Sequence, residues 1–152
     1  MSVCRCLRFV STSDVVVEEL PWGPHEWLVR DDLTESEHLL AVRVTMPPGQ
    51  AHQFHRHPHM EEMLYYVSGR AEQWVGRTSR VLGPGDVAHV PMDEVHGTYN
   101  TFDEPVVFVA ILSPAKFDGP ALVDVSRDEP WCSLKRPFDP EADPEADPEA
   151  PR

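Results

Sequence analysis

Short runs of alternating apolar and polar residues, separated by turns, dominate the chain between Phe9 and Pro114. Leu40, Val42, Val44 and Met46 alternate with other residues and are followed by Pro47-Pro48-Gly49, a pattern typical of a half-buried strand that ends in a turn. Further strands are predicted, in chain order, over Val15–Leu20, Glu26–Arg30, Glu61–Ser68, Arg70–Val75, Arg77–Leu82, Val87–Val90, Gly97–Thr101 and Val106–Leu112. No segment has convincing helical periodicity. Many short strands at intervals of roughly 8–12 residues favour an all-β sandwich or barrel.

The pattern changes at both ends of this strand-rich region. We divide the chain into N-terminal strands at 1–38, a barrel core at 39–114, a segment at 115–137 that wraps the barrel, and a tail at 138–152. The tail is rich in Pro, Glu, Asp and Ala, and its net charge is −5. It has too little apolar surface to offset the entropy of ordering, so we expect a disordered acidic tail.

The amino-acid composition excludes several classes of function. The 152 residues include 26 acidic and 13 basic side chains, giving a net charge of −13. Phosphate backbones and anionic lipids would repel such a chain, so we expect neither a nucleic-acid partner nor a membrane partner. The three cysteines are too few to build a disulfide scaffold, and the N-terminal sequence lacks the apolar stretch of a signal peptide. A cytoplasmic location is therefore the expectation.

The spacing of the histidines is the feature of the sequence that indicates a functional site. Five of the eight lie between residues 52 and 89, and His55 and His57 share one face if their segment is extended. Glu62 follows after a short kink at Pro58, and His96 begins a later strand. Three imidazoles and one carboxylate suit Fe, Mn, Ni, Co or Zn better than Ca or Mg, which prefer oxygen ligands.

Two spaced motifs resemble the two signatures of the cupin superfamily. The first reads G-x5-H-x-H-x4-E-x6-G from Gly49 to Gly69, and the second reads G-x5-P-x-D-x2-H-x3-N from Gly85 to Asn100. Asp93 stands where the family often has Gly, at a turn position that Asp tolerates. The resemblance implies a single-domain jelly-roll barrel. It also implies one divalent transition metal ion per chain, with Fe or Mn favoured, bound by His55, His57, Glu62 and His96.

Residues beside the predicted ligands are candidates for contacts with a substrate. Strand parity places Gln53 on the face of His55 and Tyr66 on the face of Glu62, so both are candidate catalytic residues. Phe54, Phe108 and His89 are candidate substrate-binding residues. Each of these five also has a structural reading, as a packed core residue or a side chain bonded to the backbone.

The resemblance favours a metal-dependent enzyme that acts on a small organic substrate, with oxygen-dependent cleavage of the dioxygenase type first. The alternatives are a non-oxidative isomerase, decarboxylase, cyclase or lyase, and a barrel that binds a small ligand without catalysis. Because single-domain cupins commonly pair, the resemblance also implies a homodimer. The N-terminal residues either form the dimer contact or fold back on their own barrel.

Overall fold

A computed structural model describes residues 6–139 as a mostly β structure of eleven strands and two short helices. The elements, in chain order, are β1 (Val16–Leu20), β2 (Gly23–Val29), α1 (Asp31–Thr34), β3 (Leu40–Met46), β4 (Ala51–Arg56), β5 (Glu61–Ser68), β6 (Ala71–Val75), β7 (Thr78–Leu82), β8 (Val87–Val90), β9 (His96–Tyr99), β10 (Val106–Ser113), β11 (Val123–Asp124) and α2 (Trp131–Leu134). The predicted all-β class is confirmed. Each helix has four residues, far fewer than a bilayer-spanning helix needs, so none in this part of the chain could cross a membrane.

The strands form two antiparallel sheets that face each other. One sheet has the order β1-β2-β3-β10-β5-β8, and the other has the order β11-β4-β9-β6-β7. Alternation sets the faces: β10 is buried at every second residue from Val106 to Leu112, and β5 buries Glu62, Leu64 and Tyr66. The main apolar core therefore lies between the sheets, as expected for a jelly-roll barrel.

The N-terminal strands complete the six-stranded sheet of their own chain. β2 pairs with both β1 and β3, and Trp27 is opposite Val42 in this register. Trp22 and Trp27 pack against the core between the sheets. The segment therefore pairs within its own chain, and the predicted dimer contact stays a prediction.

Several turn positions in the predicted signatures have positive φ, and Gly69 and Asp93 are the most informative of them. Gly69 has φ = 66°, and a Cβ atom there would lie 2.1 Å from the carbonyl oxygen of Pro105, so only glycine fits. Asp93 has φ = 64°, a conformation that Asp adopts more readily than most residues. The close approach of Pro105 thus explains the glycine at position 69, and the left-handed turn at position 93 accepts Asp.

The C-terminal segment covers the outer face of the five-stranded sheet. Val125, Trp131 and Phe138 pack on a second apolar cluster formed by Ala51, Phe54 and Tyr99. Phe138 belongs to this docked segment, so the predicted start of the acidic tail at residue 138 is too early. Residues 140–152, which hold most of the predicted tail, lie outside the described part of the chain.

Candidate metal centre

Four side chains from three strands and one loop converge between the sheets. His55 lies on β4, Glu62 on β5 and His96 on β9, while His57 follows the end of β4. The antiparallel pairing of β4 and β9 sets His55 opposite His96. One potential ligand atom from each of the four residues lies within 4.8 Å of every other, and all four residues are buried.

Backbone carbonyl groups fix the orientation of the three imidazoles. The Nδ1 atom lies 2.6 Å from the Gln53 oxygen in His55, 2.8 Å from the Ala121 oxygen in His57 and 3.0 Å from the Glu94 oxygen in His96. A carbonyl oxygen only accepts hydrogen bonds, so each Nδ1 carries the hydrogen and donates it. In the neutral ring each Nε2 then has a free lone pair, which is the form that binds metal.

The charge state of the cluster also favours a bound cation. Burial lowers the pKa of His55 well below its usual range, and the neighbouring imidazoles add to this effect, so the ring is neutral at pH 7. Burial would raise the pKa of Glu62, but His57 and His96 hold it far below its usual range. Burial opposes protonation of His57, yet contact with Glu62 raises its pKa above 6.5. In this cluster a buried, negatively charged carboxylate therefore contacts imidazoles that can either take up a proton or bind a metal ion.

The four donor side chains fit a divalent transition metal. The Oε2 atom of Glu62 and the Nε2 atom of His96 are buried and have no hydrogen-bond partner of suitable geometry among residues 6–139. Buried polar atoms rarely remain unpaired, and here both belong to the same cluster. Imidazole nitrogen and carboxylate oxygen are ligands that transition metals accept.

Glu61, the sequence neighbour of Glu62, points away from this centre. It is exposed and lies 3.2 Å from the Nε2 atom of His89 on the outer face of the six-stranded sheet. Alternation along β5 therefore decides which carboxylate joins the cluster. The same pairing corrects the prediction that His89 contacts a substrate, because its exposed ring lies outside the barrel.

Three of the other candidate residues do not line the cavity that contains the cluster. The amide group of Gln53 is bonded on both sides to the backbone of Phe138, at 2.7 Å and 3.1 Å. Phe54 is buried in the second apolar cluster, on the outer face of the five-stranded sheet, where its ring packs against that of Trp131. Tyr66 points inward as predicted, but its hydroxyl donates to Gln73 deep in the core. Of the five, only Phe108 lines the cavity.

A register irregularity in β4 explains the error for Gln53 and Phe54. The pairing of β4 with β9 shifts between His52 and His55, so strict alternation does not extend from His55 back to Gln53. His52 and His55 consequently stack on each other although they are three residues apart. The sequence prediction missed His52. No signal in the sequence identified it, because strict alternation puts residues three apart on opposite faces of a strand.

Comparisons with known proteins agree with this geometry. A family model described as Cupin domain matches residues 42–112. Oxalate decarboxylase from Bacillus subtilis (strain 168) is 37% identical over 82 residues, which is 50% of this chain and 21% of that protein. This chain thus spans about a fifth of the curated relative.

Solved structures give the same result over more of the chain. A Klebsiella pneumoniae protein with a double-stranded β-helix domain superposes with a TM-score of 0.62 at 27% identity, covering 78% of this chain and 98% of that one. A structure of Bacillus subtilis oxalate decarboxylase, from a study of its Mn(II) centres, superposes with a TM-score of 0.57 at 31% identity. That match covers 69% of this chain and 28% of the other.

Proposed function

The chain belongs to the cupin superfamily, and from that premise we propose that it is a metal-dependent enzyme acting on a small organic substrate with a largely apolar body. One observation carries the proposal: a three-histidine, one-glutamate cluster lies in the wall of an apolar cavity between the sheets. A transition metal with four protein ligands keeps coordination positions open if it is five- or six-coordinate, and open positions are typical of catalytic sites.

The cavity suits a small, mainly apolar molecule. Its volume is about 370 Å³. Besides the cluster, its walls are formed by Leu20, Trp22, His25, Trp27, Leu40, Val42, Val44, His52, Met60, Leu64, Thr98, Phe108, Ala110, Leu112, Ala121 and Leu122. No lysine or arginine is among these residues, so the metal would be the main positive charge available to a substrate. We therefore propose a substrate that binds the metal through an oxygen group and places an apolar portion against these walls.

The side chains of the cavity supply position and exclude water. The three Nδ1–H groups anchored on carbonyl oxygens hold the imidazole rings in one orientation. Leu112 is opposite Glu62 in the pairing of β5 with β10, and Leu64 and Phe108 line the same cavity, so the surroundings of Glu62 are largely apolar. Low polarity strengthens electrostatic interactions inside the site.

Manganese and iron are the metals that we favour. The Mn(II) centres named for oxalate decarboxylase support manganese, and the mixed nitrogen and oxygen ligand set accepts either metal. When bound, such an ion supplies a Lewis acid and, for Fe or Mn, a redox centre.

Oxygen-dependent cleavage of the dioxygenase type is our first candidate reaction. The walls offer few groups for proton transfer, and a reaction that depends on a redox metal and O2 needs fewer of them than an acid–base reaction does. The apolar walls of the cavity also limit the access of water to reactive species.

Non-oxidative decarboxylation is the second candidate, and the likeness of half of the chain to oxalate decarboxylase favours it. Oxalate itself fits this cavity poorly, because a small dianion has no apolar part and no cationic side chain lines the walls. The substrate of a decarboxylase with this cavity would be a larger acid with a single carboxylate.

One set of experiments tests the proposal and separates the two reactions. The metal content of protein purified without added metal identifies the ion. A panel of small aromatic and aliphatic acids, diols and diketones is then assayed with that metal, in air and under anaerobic conditions, with His96→Ala as the inactive control. Turnover that consumes O2 supports the first reaction, and CO2 release without O2 supports the second. Tight binding of a panel member without turnover under either gas would contradict an enzymatic function.

A further inference from the structure

His52 occupies a position beside the metal cluster that neither the sequence motifs nor the ligand set assigns. Its ring stacks on the ligand His55, with centroids 3.6 Å apart and planes at 18°. Its other face stacks on Trp22, with centroids 4.2 Å apart and planes at 16°. The column joins β4 to the turn between β1 and β2 and holds the plane of the His55 ring from one side.

The nitrogens of His52 are uncommitted, unlike those of its neighbours. Four other histidines of the cavity, His25, His55, His57 and His96, each direct Nδ1 at a backbone carbonyl oxygen. Among residues 6–139, neither ring nitrogen of His52 has a hydrogen-bond partner. The residue also lines two cavities, the one with the metal cluster and a polar one of about 290 Å³ beside it.

Stacking alone does not explain why this residue is a histidine. A phenylalanine would fill the same space between Trp22 and His55 and would stack in the same way. The ring nitrogens of His52 are not among the buried unpartnered atoms of residues 6–139, so they face open space at the cavity. A molecule bound at the metal centre can therefore reach them, and an imidazole offers it both a donor and an acceptor.

We propose that His52 orients the substrate: one ring nitrogen hydrogen-bonds a polar group next to the oxygen that binds the metal, while the stacked ring fixes the plane of His55. This rests on the proposed function of the same site and narrows the substrate class. The substrate would have two adjacent polar groups at one end, one for the metal and one for His52, and an apolar remainder.

Benzohydroxamate is a suitable probe, because it combines a metal-chelating hydroxamate, an adjacent N–H group and an apolar ring. Binding is measured by calorimetry with the full chain loaded with zinc, which is diamagnetic and redox-inactive. His52→Phe keeps the stack and removes the nitrogens, whereas His52→Gln keeps hydrogen-bonding atoms and removes the stack. His59→Phe is the matched control, because His59 stacks on Phe117 and does not line the cavity.

The two variants are expected to separate the two roles. His52→Phe retains zinc and binds benzohydroxamate about five- to tenfold more weakly, the effect of one hydrogen bond. His52→Gln binds the probe to within about threefold of the original protein but loses zinc faster to a chelator, since one hydrogen bond is kept and the support of His55 is removed. His59→Phe changes neither property. In spectra of ¹⁵N-labelled imidazoles, the probe shifts a ring nitrogen signal that is absent from His52→Phe.

Each contrary result has a distinct meaning. Equal affinity of the original protein and His52→Phe for the probe, with no shift of the His52 nitrogens, would overturn this inference and leave the proposed function standing. Loss of zinc from His52→Phe as complete as from His55→Ala would also overturn it, since the nitrogens would then serve the metal centre. Failure of the probe to bind the zinc-loaded original protein would contradict both proposals.

Discussion

The Nε2 atom of His96 lies 2.7 Å from the Oε2 atom of Glu62 in the buried interior of the barrel. Because the Nδ1–H of His96 donates to the carbonyl oxygen of Glu94, a neutral His96 directs a lone pair at the carboxylate. Two facing lone pairs at this distance repel each other unless a proton or a metal ion neutralises the contact. The same requirement applies to His57, whose Nε2 is 3.3 Å from the same oxygen.

Replacement of single histidines should separate ligands from neighbours. We expect His55→Ala, His57→Ala and His96→Ala each to lose most bound metal, because each removes one of four ligands. His59→Ala should retain it, since that ring packs against Phe117. Elemental analysis of protein purified in parallel gives the metal content. Full occupancy in His96→Ala, or a loss in His59→Ala as large as in His96→Ala, would refute the ligand assignment.

The carboxylate of Glu62 should link metal binding to thermal stability. Glu62→Gln preserves shape but removes the negative charge, so we expect weaker metal retention. At a free metal concentration 100 times the dissociation constant, the original protein gains about 2.7 kcal/mol, and the variant should gain less. Melting curves with metal and with chelator measure the difference. The same increase in melting temperature for both proteins would show that Glu62 is not a ligand.

Protons should compete with the metal mainly at His57. Burial alone would lower the pKa of His57, but contact with Glu62 raises it above its usual value, so at pH values below this pKa the metal-free cluster holds a proton there that must leave before metal binds. We expect metal affinity to fall as pH decreases through this raised pKa, by about tenfold per pH unit below it. His55, whose pKa is lowered, should not contribute in this range. Chelator competition between pH 6 and 8 measures the slope, and calorimetry in two buffers counts the released protons. An affinity independent of pH over this range would contradict the expectation.

The cluster was predictable from sequence because two spaced motifs resemble the cupin signatures, which imply its four ligands. The spacing to Gly69 selects Glu62 over Glu61, and alternation along β5 turns Glu62 inward. The pairing of β4 with β9 brings His96 opposite His55. The surroundings of the cluster were not predictable, because they depend on one register irregularity within β4. That irregularity turns His52 inward and sends Gln53 to the backbone of Phe138, a contact between residues 85 positions apart. The regular alternation of residues along a strand does not predict a bulge. No local sequence pattern predicts a contact between residues as distant as Gln53 and Phe138.

The outer face of the six-stranded sheet is where we expect a homodimer contact. Met63, Tyr65 and Val67 on β5 have 36%, 44% and 46% of their surface exposed, and Val87 on the neighbouring strand is 50% exposed. An exposed apolar patch on a sheet face favours association. Tyr65→Glu should convert a dimer into a monomer, whereas Val81→Glu, which changes an exposed valine on the other sheet, should not. Light scattering at micromolar concentration measures the oligomeric state of the original protein and of both variants. A monomeric original protein would refute the expectation.

The C-terminal boundary of the folded unit should lie between Phe138 and residue 140. The Nε2 atom of Gln53 donates to the Phe138 oxygen, and the Phe138 N–H donates back to Oε1 of Gln53. Three residues earlier, the ammonium of Lys135 pairs with Glu72 in a mostly buried contact. Removing residues 140–152, which are acidic and rich in proline, should therefore leave the melting temperature nearly unchanged.

Truncation after Arg136 should behave differently, because it removes Phe138 from the apolar cluster and leaves the amide of Gln53 without partners. The loss of two hydrogen bonds and of the partly buried Phe138 side chain amounts to about 2–3 kcal/mol. For a chain of this size, that lowers the melting temperature by about 4–12 °C. Gln53→Leu in the full-length chain should produce part of the same decrease without shortening the protein. Calorimetry of the two truncations side by side tests the boundary: a decrease of more than a few degrees on removing residues 140–152 alone would mean that the acidic segment itself stabilises the barrel.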